Sequence, residues 1–464
     1  MKSTLITTPD ACLLHRKLDL LLRTGSLLMD SSADTARIMR NLNRTMKYLD
    51  LDDNHLHMNI DYSILMVNYS DETHSFTKFR RCDTHKIDMT VIAAVSHLTW
   101  EAIRNNYSLD EYEKKLDEIE HGPRYYTPWQ IAVAAGFACG GFCVQFGCDW
   151  PAFFYASIAA ILGFRLRMFL GAKHMNAYIC IGISAFVATI LAWLSSYISL
   201  SPTLQRVVPA FMHSDTPWHP LMACTLFIVP GVPLINFVSD MLCGHIQTGF
   251  VRALNTLLIV IAMAFGIGFA IQIFGINNFV TNLSMTPHHT YVEFAIAAAI
   301  SAMGFSTIFN TPYKMLPIVA MGGIIAVCTR NFVNLGPSNG NFGLDQGLIM
   351  GSLAGSVLVS LIIVFISHRV HIPHQCISIP SVIPMVPGVL MYRALFAFIE
   401  MKGVVGEVTN GMHNLMMASM AILVIAIGTS LPNIFKHHLL ESKRKIRYYD
   451  LLLERRKENQ NHVG

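Results

Sequence analysis

Hydrophobic residues follow two regimes along this chain. Up to about residue 127 they recur with gaps filled by polar and charged residues, and beyond it they run together in long blocks. In the first regime Leu13, Leu14, Leu18, Leu21, Leu22 and Leu28 recur at roughly helical spacing. Residues 12–50 therefore read as helix, with a second amphipathic stretch over 33–49. Met58–Tyr69 and Thr73–Arg81 read as strands, the second alternating. Asp88–Asn105 reads as helix. Leu109–His121 reads as a charged helix in which Asp110/Lys114 and Glu111/Lys115 stand four apart. These elements make a small α+β domain ending in a polar connector.

In the second regime ten apolar segments follow, at 129–147, 150–170, 175–200, 219–243, 248–275, 291–309, 314–335, 346–369, 375–400 and 412–434. Most are long enough to cross a bilayer core, which takes about 20 residues. The fourth and ninth are interrupted. Pro230, Gly231 and Pro233 stand inside FIVPGVPLINFVSD (227–240), and Pro387 and Gly388 inside PMVPGVLMYR (384–393). Pro removes a helix hydrogen bond and Gly loosens the backbone, so both segments are expected to break.

The two breaks share the tetrapeptide Val-Pro-Gly-Val, at 229–232 and 386–389. The second segment of each block of five opens near an X-Pro step, Trp150-Pro151 and Thr311-Pro312. Five segments thus read as repeated in five more, and an odd number forces the second block to enter the membrane from the opposite side. With a cytoplasmic N-terminus, the inner loops carry Arg165, Arg167, Lys173, Arg252, Lys314 and Arg369, and the outer loops Arg206, Arg330 and Lys402. The basic tail KHHLLESKRKIR (436–447) also falls inside, which follows the positive-inside rule. The expectation is a mostly α protein. It is a polytopic bundle of ten spans built as a 5+5 inverted repeat with two Pro-Gly-broken helices, preceded by a small cytoplasmic α+β domain. Its units are residues 1–127, 128–276, 290–435 and a tail at 436–464, in the inner membrane of a cell with both termini cytoplasmic.

Composition agrees. Of 464 residues, 53% are hydrophobic and 14% charged, too little charge to cover a soluble surface of this size. Net charge is +4 with no basic domain, so nucleic acid is not an expected partner. The opening residues are interrupted by His15, Arg16, Lys17, Asp19 and Arg23, unlike the apolar core of a signal peptide, so the first 127 residues are expected to stay where they are made. The ten cysteines show no disulfide framework. Cys139 and Cys143, four apart, read as packing rather than metal ligands. His288-His289, His371-x-x-His374 and His437-His438 lie at expected loops without acidic or thiolate partners, and no metal or other cofactor is expected. No P-loop is present, which points away from ATP-driven transport and toward coupling to an ion gradient.

Non-helical backbone at membrane depth is tolerated where protein or a water-filled cavity surrounds it. Freed N–H groups at a half-helix start can hold a carboxylate, and freed carbonyls a cation or an ammonium. Pro230, Gly231, Pro387 and Gly388 are therefore candidate substrate-binding positions. The bland alternative is a kink that only shapes packing. Asn236 and Asp240 share a helix face at i, i+4. A carboxylate at that depth suits an ammonium ligand or a coupling proton; otherwise Asp240 caps the Cys243-Gly244-His245 loop. Arg252 and Arg393 are the candidate partners of Asp240 or of a substrate carboxylate, Arg252 having the alternative of a snorkelling anchor. Tyr392 and Asn236 offer hydrogen bonds. Asp149 reads as a cap, Glu293 and Glu400 as interfacial, and Gly136, Gly140 and Gly141 as close helix packing.

Four stretches carry a family resemblance: GSLLMDSSADTARIMRNLNRTMKYLDL (25–51), THSFTKFRR (73–81), VPGVPLINFVSDMLCGHIQTGFVRAL (229–254) and IPSVIPMVPGVLMYRAL (379–395). Over roughly residues 12–434 the chain resembles the threonine/serine exporters, with both membrane modules in one chain. The resemblance implies export of small hydrophilic amino acids by proton antiport. Related two-subunit members imply dicarboxylate export as the alternative. At Ser31-Ser32-Ala33-Asp34 the family pattern favours Ser-Gly-Ala-Glu, so Ser32 replaces a Gly, a change expected not to touch transport. The family's N-terminal domain has been likened to hydrolases, and Ser31, Ser32, His55, His57 and Asp61 supply the residue types; a regulatory or gating role is the expectation. The expected partners are the small solute, protons and the lipid bilayer, with a homo-oligomer left open. A membrane-anchored hydrolase and a channel are the competing classes.

Overall fold

A computed structural model describes residues 9–71, 75–275, 289–337, 342–370, 372–399 and 405–439. The N-terminal domain begins with α1 (Pro9–Asp30) and α2 (Thr35–Tyr48). The turn between them ends at Asp34, whose carboxylate caps α2 by accepting the N–H of Arg37 at 2.9 Å. Three strands follow, β1 (Leu56–Ile60), β2 (Ile64–Ser70) and β3 (Ser75–Arg81), antiparallel in the order β1-β2-β3. Met58–Tyr69 is thus a hairpin rather than one strand, turning at Asp61–Ser63 between the paired Ile60 and Leu65. Leu65 and Val67 alternate onto the buried face of the sheet, against α1. Helices α3 (Met89–Arg104) and α4 (Leu109–Glu120) complete the domain. Asp88 caps α3, and Ser108 with Glu111 forms a capping box on α4. The acids of α4 turn to α1 rather than to their own lysines. Asp110 and Glu113 pair with Arg16, and Asp117 and Glu120 with Arg23, one heptad on.

The helices that follow are α5 (Pro128–Gln145), α6 (Trp150–Ala172), α7 (Ala177–Leu200), the short α8 (Pro202–Val207) and α9 (Pro220–Ala223), then α10 (Gly231–Leu242) and α11 (Ile246–Ile273). The second set is α12 (Tyr291–Ile308), α13 (Leu316–Asn334), α14 (Gly347–Val370), α15 (Gln375–Val382), α16 (Gly388–Ile399) and α17 (Val405–Leu439). Among the described residues, seven helices are long and apolar enough to cross a membrane, or up to nine if each of two bent pairs is one span. The expected first span, 129–147, corresponds to α5. It is an 18-residue helix with Gln at both ends, and it does not meet the same measure of length and apolarity.

Small residues set the packing. A Cβ on Gly141 of α5 would lie 2.4 Å from Ser301 Oγ of α12, and one on Gly140 2.2 Å from Ser157 Oγ of α6. The exposed rows Phe154, Ile158, Leu162 and Phe265, Phe269 stand at i, i+4 and face outward, as lipid-facing rows do. Cys139 and Cys143 are buried among these helices.

Two ends of the bundle are distinct. At one end the N-terminal domain docks. Met89 N–H donates to Phe309 O at 2.9 Å, and Asn310 Nδ2 donates to both oxygens of Asp88, at 3.1 and 2.9 Å. Tyr126 OH donates to Thr311 O at 2.8 Å, and Asn255 Nδ2 to Tyr62 OH at 2.9 Å. At the other end Asp149 caps α6 and receives Ser214 Oγ at 2.8 Å, while Trp150 reaches Glu293, which sits in a capping box with Thr290. Arg252 and Arg330 are not loop charges: both are buried within helices, Arg252 in α11 and Arg330 in α13 beside Asn331. Lys402, Glu400, His288, His371 and the tail beyond 439 lie outside the described residues.

Candidate functional site at the paired helix breaks

Both expected breaks are present, and they have the same form. Before the first, a 3-10 turn over Leu226–Ile228 ends in a bond from Val229 N to Leu226 O. Gly231 N then donates to Val229 O at 2.8 Å, and α10 starts at an angle of 57°. Before the second, a 3-10 turn over Ile383–Met385 ends in a bond from Val386 N to Ile383 O. Gly388 N donates to Val386 O at 2.8 Å, and α16 starts at 52°. Pro230 and Pro387 lack the N–H that would continue either helix.

The breaks also pack on each other reciprocally. A Cβ on Gly231 would lie 2.5 Å from Ile383 Cδ1, and one on Gly388 2.7 Å from Leu226 Cδ2. Leu226 and Ile383 each stand five residues before the glycine of their own segment, so each break receives the equivalent residue of the other. A buried hydroxyl link joins the same layer. Thr225 Oγ1 donates to Tyr392 OH at 3.2 Å, and Tyr392 OH donates to Met263 Sδ at 2.6 Å.

Asn236, Asp240 and Arg252 come together in a second layer. Asp240 follows Gly231 by nine residues, about 13 Å at the helical rise. It lies in the last turn of α10, at the end where the N-terminal domain docks. Arg252 Nη1 is 3.1 Å from Asp240 Oδ2, with side-chain exposures of 4% and 0%. The guanidinium is therefore withdrawn from water and is not a snorkelling anchor. Asp240 takes Arg252 as its cation, and Arg393 is half-buried on α16.

What faces this layer is the α1–α2 turn. Asn236 Nδ2 donates to Ser32 O at 2.9 Å, Arg252 Nη2 to Ala33 O at 3.2 Å, and the N–H of Thr35 to Asp240 Oδ1 at 2.8 Å. Arg37 then donates through Nε at 2.9 Å, and through Nη2, to Gln375 Oε1 at the start of α15. The turn thus touches both broken segments, at α10 and at the start of α15. Its Ser32 has φ 62, the left-handed region a glycine adopts most readily. The Ser-for-Gly departure therefore does bear on this site, through the Ser32 carbonyl and a bond from Ser32 Oγ to His85 O at 2.9 Å.

Thr35, Arg37 and Gln375 were not among the expected site residues. An isolated Gln at the head of an apolar segment is the signal that marks Gln375. The hydrolase residue set does not assemble. His55 Nδ1 meets Ser70 O, Asp61 accepts its neighbour's N–H, and among the described residues no serine hydroxyl bonds either histidine. A cavity of about 260 Å³ between α13 and α14, lined by Pro317, Ile325, Ile363 and other apolar residues, does not suit a hydrophilic solute.

Comparison with known proteins identifies the family. A family profile described as "Putative threonine/serine exporter" matches residues 19–274, more than half of the chain, and one described as "Threonine/Serine exporter, ThrE" matches residues 294–435. A "Probable threonine/serine exporter" of Mycobacterium tuberculosis is 22% identical over 427 residues, 90% of this chain and 76% of that protein. The "Threonine/serine exporter" of Corynebacterium glutamicum is 23% identical over 300 residues, 63% of this chain and 57% of its own. The "Probable succinate transporter subunit YjjP" of Escherichia coli is 27% identical over 261 residues, 56% of this chain and 96% of that subunit. No solved structure matches the chain. With one profile over residues 19–274 and a second over residues 294–435, the chain belongs to the threonine/serine exporter family.

Proposed function

We propose that this protein is a secondary active transporter that exports small hydrophilic amino acids, threonine and serine, in exchange for protons. The observation that carries the reading is the buried Asp240–Arg252 pair with Asn236 one turn away on the same face. An α-amino acid brings an ammonium and a carboxylate on one carbon. Asp240 complements the first, and Arg252 with Asn236 complements the second. When the substrate leaves, Asp240 can take a proton in its place, which couples the two fluxes. Pro230, Gly231, Pro387 and Gly388 give each broken segment a hinge, and Tyr392 links the two hinges through Thr225.

In this reading α5 is the tenth span, about 27 Å long at 1.5 Å per residue. The equivalent breaks are the core of a 5+5 inverted repeat, in which Asn236 and Arg393 occupy equivalent positions, five residues past their glycines. The N-terminal domain and the tail lie on the cytoplasmic side of the inner membrane. A dicarboxylate such as succinate is the second reading. It is favoured by the Escherichia coli relative and by the presence of two arginines, Arg252 and Arg393, near the breaks.

Counterflow separates a carrier from a channel. Proteoliposomes loaded with unlabelled threonine should transiently accumulate labelled threonine above equilibrium. Simple equilibration would reject the carrier, and counterflow with succinate alone would move the assignment to dicarboxylates.

A further inference from the structure

We propose that the α1–α2 turn is a tethered pseudosubstrate: it occupies the amino-acid site from the cytoplasmic side and must leave before a free amino acid can enter. This rests on the substrate reading above and specifies how the same site is controlled. The turn presents two acceptors, the carbonyls of Ser32 and Ala33, to Asn236 and Arg252. It presents one donor, the Thr35 N–H, to Asp240. That is the pattern of an amino-acid zwitterion, with acceptors for the cation and a nitrogen donor for the carboxylate. All three groups belong to the backbone of four consecutive residues. The residue seated on Asp240 is itself a threonine, fully buried.

The turn also bridges. Its Arg37 is held by Gln375 of α15, so one short segment ties the inner half of the second broken helix to α10 and α11 of the first module. Rocking of one module against the other would tear these contacts, so the docked turn holds the inner mouth closed. A second contact, Asp88 with Asn310 at the foot of α12, keeps the domain close when the turn is displaced. The equilibrium is then a competition between a tethered ligand and a free one, and the tether supplies its effective concentration.

The test is hydrogen exchange on the full chain in proteoliposomes, followed at residues 32–37 while threonine or serine is added and efflux is measured in the same preparation. The substrate should accelerate exchange at these amides, because Thr35 loses its acceptor. Gln375→Ala removes the bidentate hold on Arg37 without touching Asp240, Arg252 or Asn236. It should shift undocking roughly ten- to hundredfold, the range for hydrogen bonds to a charged group. It should also lower the threonine concentration for half-maximal efflux, by up to the same factor. Asn310→Ala, at the second contact, is an independent variant expected to act in the same direction. Threonine efflux with unchanged exchange at 32–37 would overturn the pseudosubstrate and leave the exporter standing. Absence of amino-acid efflux in wild type and in both variants would overturn both, since the turn would then mimic no substrate.

Discussion

Asp240 and Arg252 form an ion pair buried on both sides, so removing either partner should be costly. Its ends are 3.1 Å apart and side-chain exposures are 0% and 4%, so neither charge is screened by water. Removing one partner of a buried pair leaves the other uncompensated and costs about 3–5 kcal/mol, whereas replacing both by groups of similar volume is often neutral. Arg252→Met should therefore destabilise the protein by about 3 kcal/mol or more. Asp240→Asn should do much the same, because the buried Arg252 charge then loses its carboxylate. Asn at 240 still offers an acceptor to the Thr35 N–H, so the combined variant Asp240→Asn/Arg252→Met should be less destabilised than either single one. The assay is denaturant unfolding of all four proteins in the same micelle, comparing midpoints at unchanged slope. Costs in the double variant equal to the sum of the single ones would show independent residues and refute the pairing.

Three further outcomes follow from the same geometry. Gly231→Ala and Gly388→Ala put a Cβ 2.5 and 2.7 Å from the side-chain ends of Ile383 and Leu226, which must turn aside, so each should cost about 1 kcal/mol, the low end of overpacking, and slow efflux; a silent change at both sites in thermal melting would contradict the reciprocal packing. Ser32 combines a left-handed φ of 62, costing about 1 kcal/mol, with a bond to His85 O of similar worth; Ser32→Gly should be near neutral and Ser32→Ala destabilising by about 1 kcal/mol in the same melts. His85 is held below its ordinary pKa of 6.5, first by burial and then by the Arg252 charge. The folded domain therefore binds fewer protons there than the unfolded chain, so this contribution is complete above pH 6.5 and is lost as pH falls through the depressed folded value. Protection of residues 32–37 from hydrogen exchange should weaken on acidification in that window, and His85→Phe should remove this part of the pH dependence.

Much of the membrane architecture was legible because apolar runs bounded by polar residues record burial directly. The expected segments 150–170, 175–200 and 291–309 lie within a few residues of α6, α7 and α12. The breaks were equally legible, since Pro and Gly act on the backbone wherever they stand. The hairpin at Asp61–Ser63 was not, because its turn, Asp-Tyr-Ser, lacks Gly and Pro and is short between apolar residues on both sides. The charge bias was only partly informative. Arg252 and Arg330 count as loop charges by position but are buried by tertiary packing. Asn236, Asp240 and Arg252 could be named because polar groups among apolar ones stand out. Their occupant could not, because Thr35 and Asp240 are 205 residues apart and backbone groups, which every residue has, make the contact.

The most direct test of the account is efflux from preloaded proteoliposomes under an imposed proton gradient, with labelled threonine, serine and succinate side by side. Wild type and Asp240→Asn are compared after gel filtration confirms that both remain folded. Gradient-driven efflux of threonine or serine by wild type, lost in the variant, is the expected result. Amino-acid efflux that persists in Asp240→Asn with unchanged proton dependence, or movement of succinate alone, would contradict it.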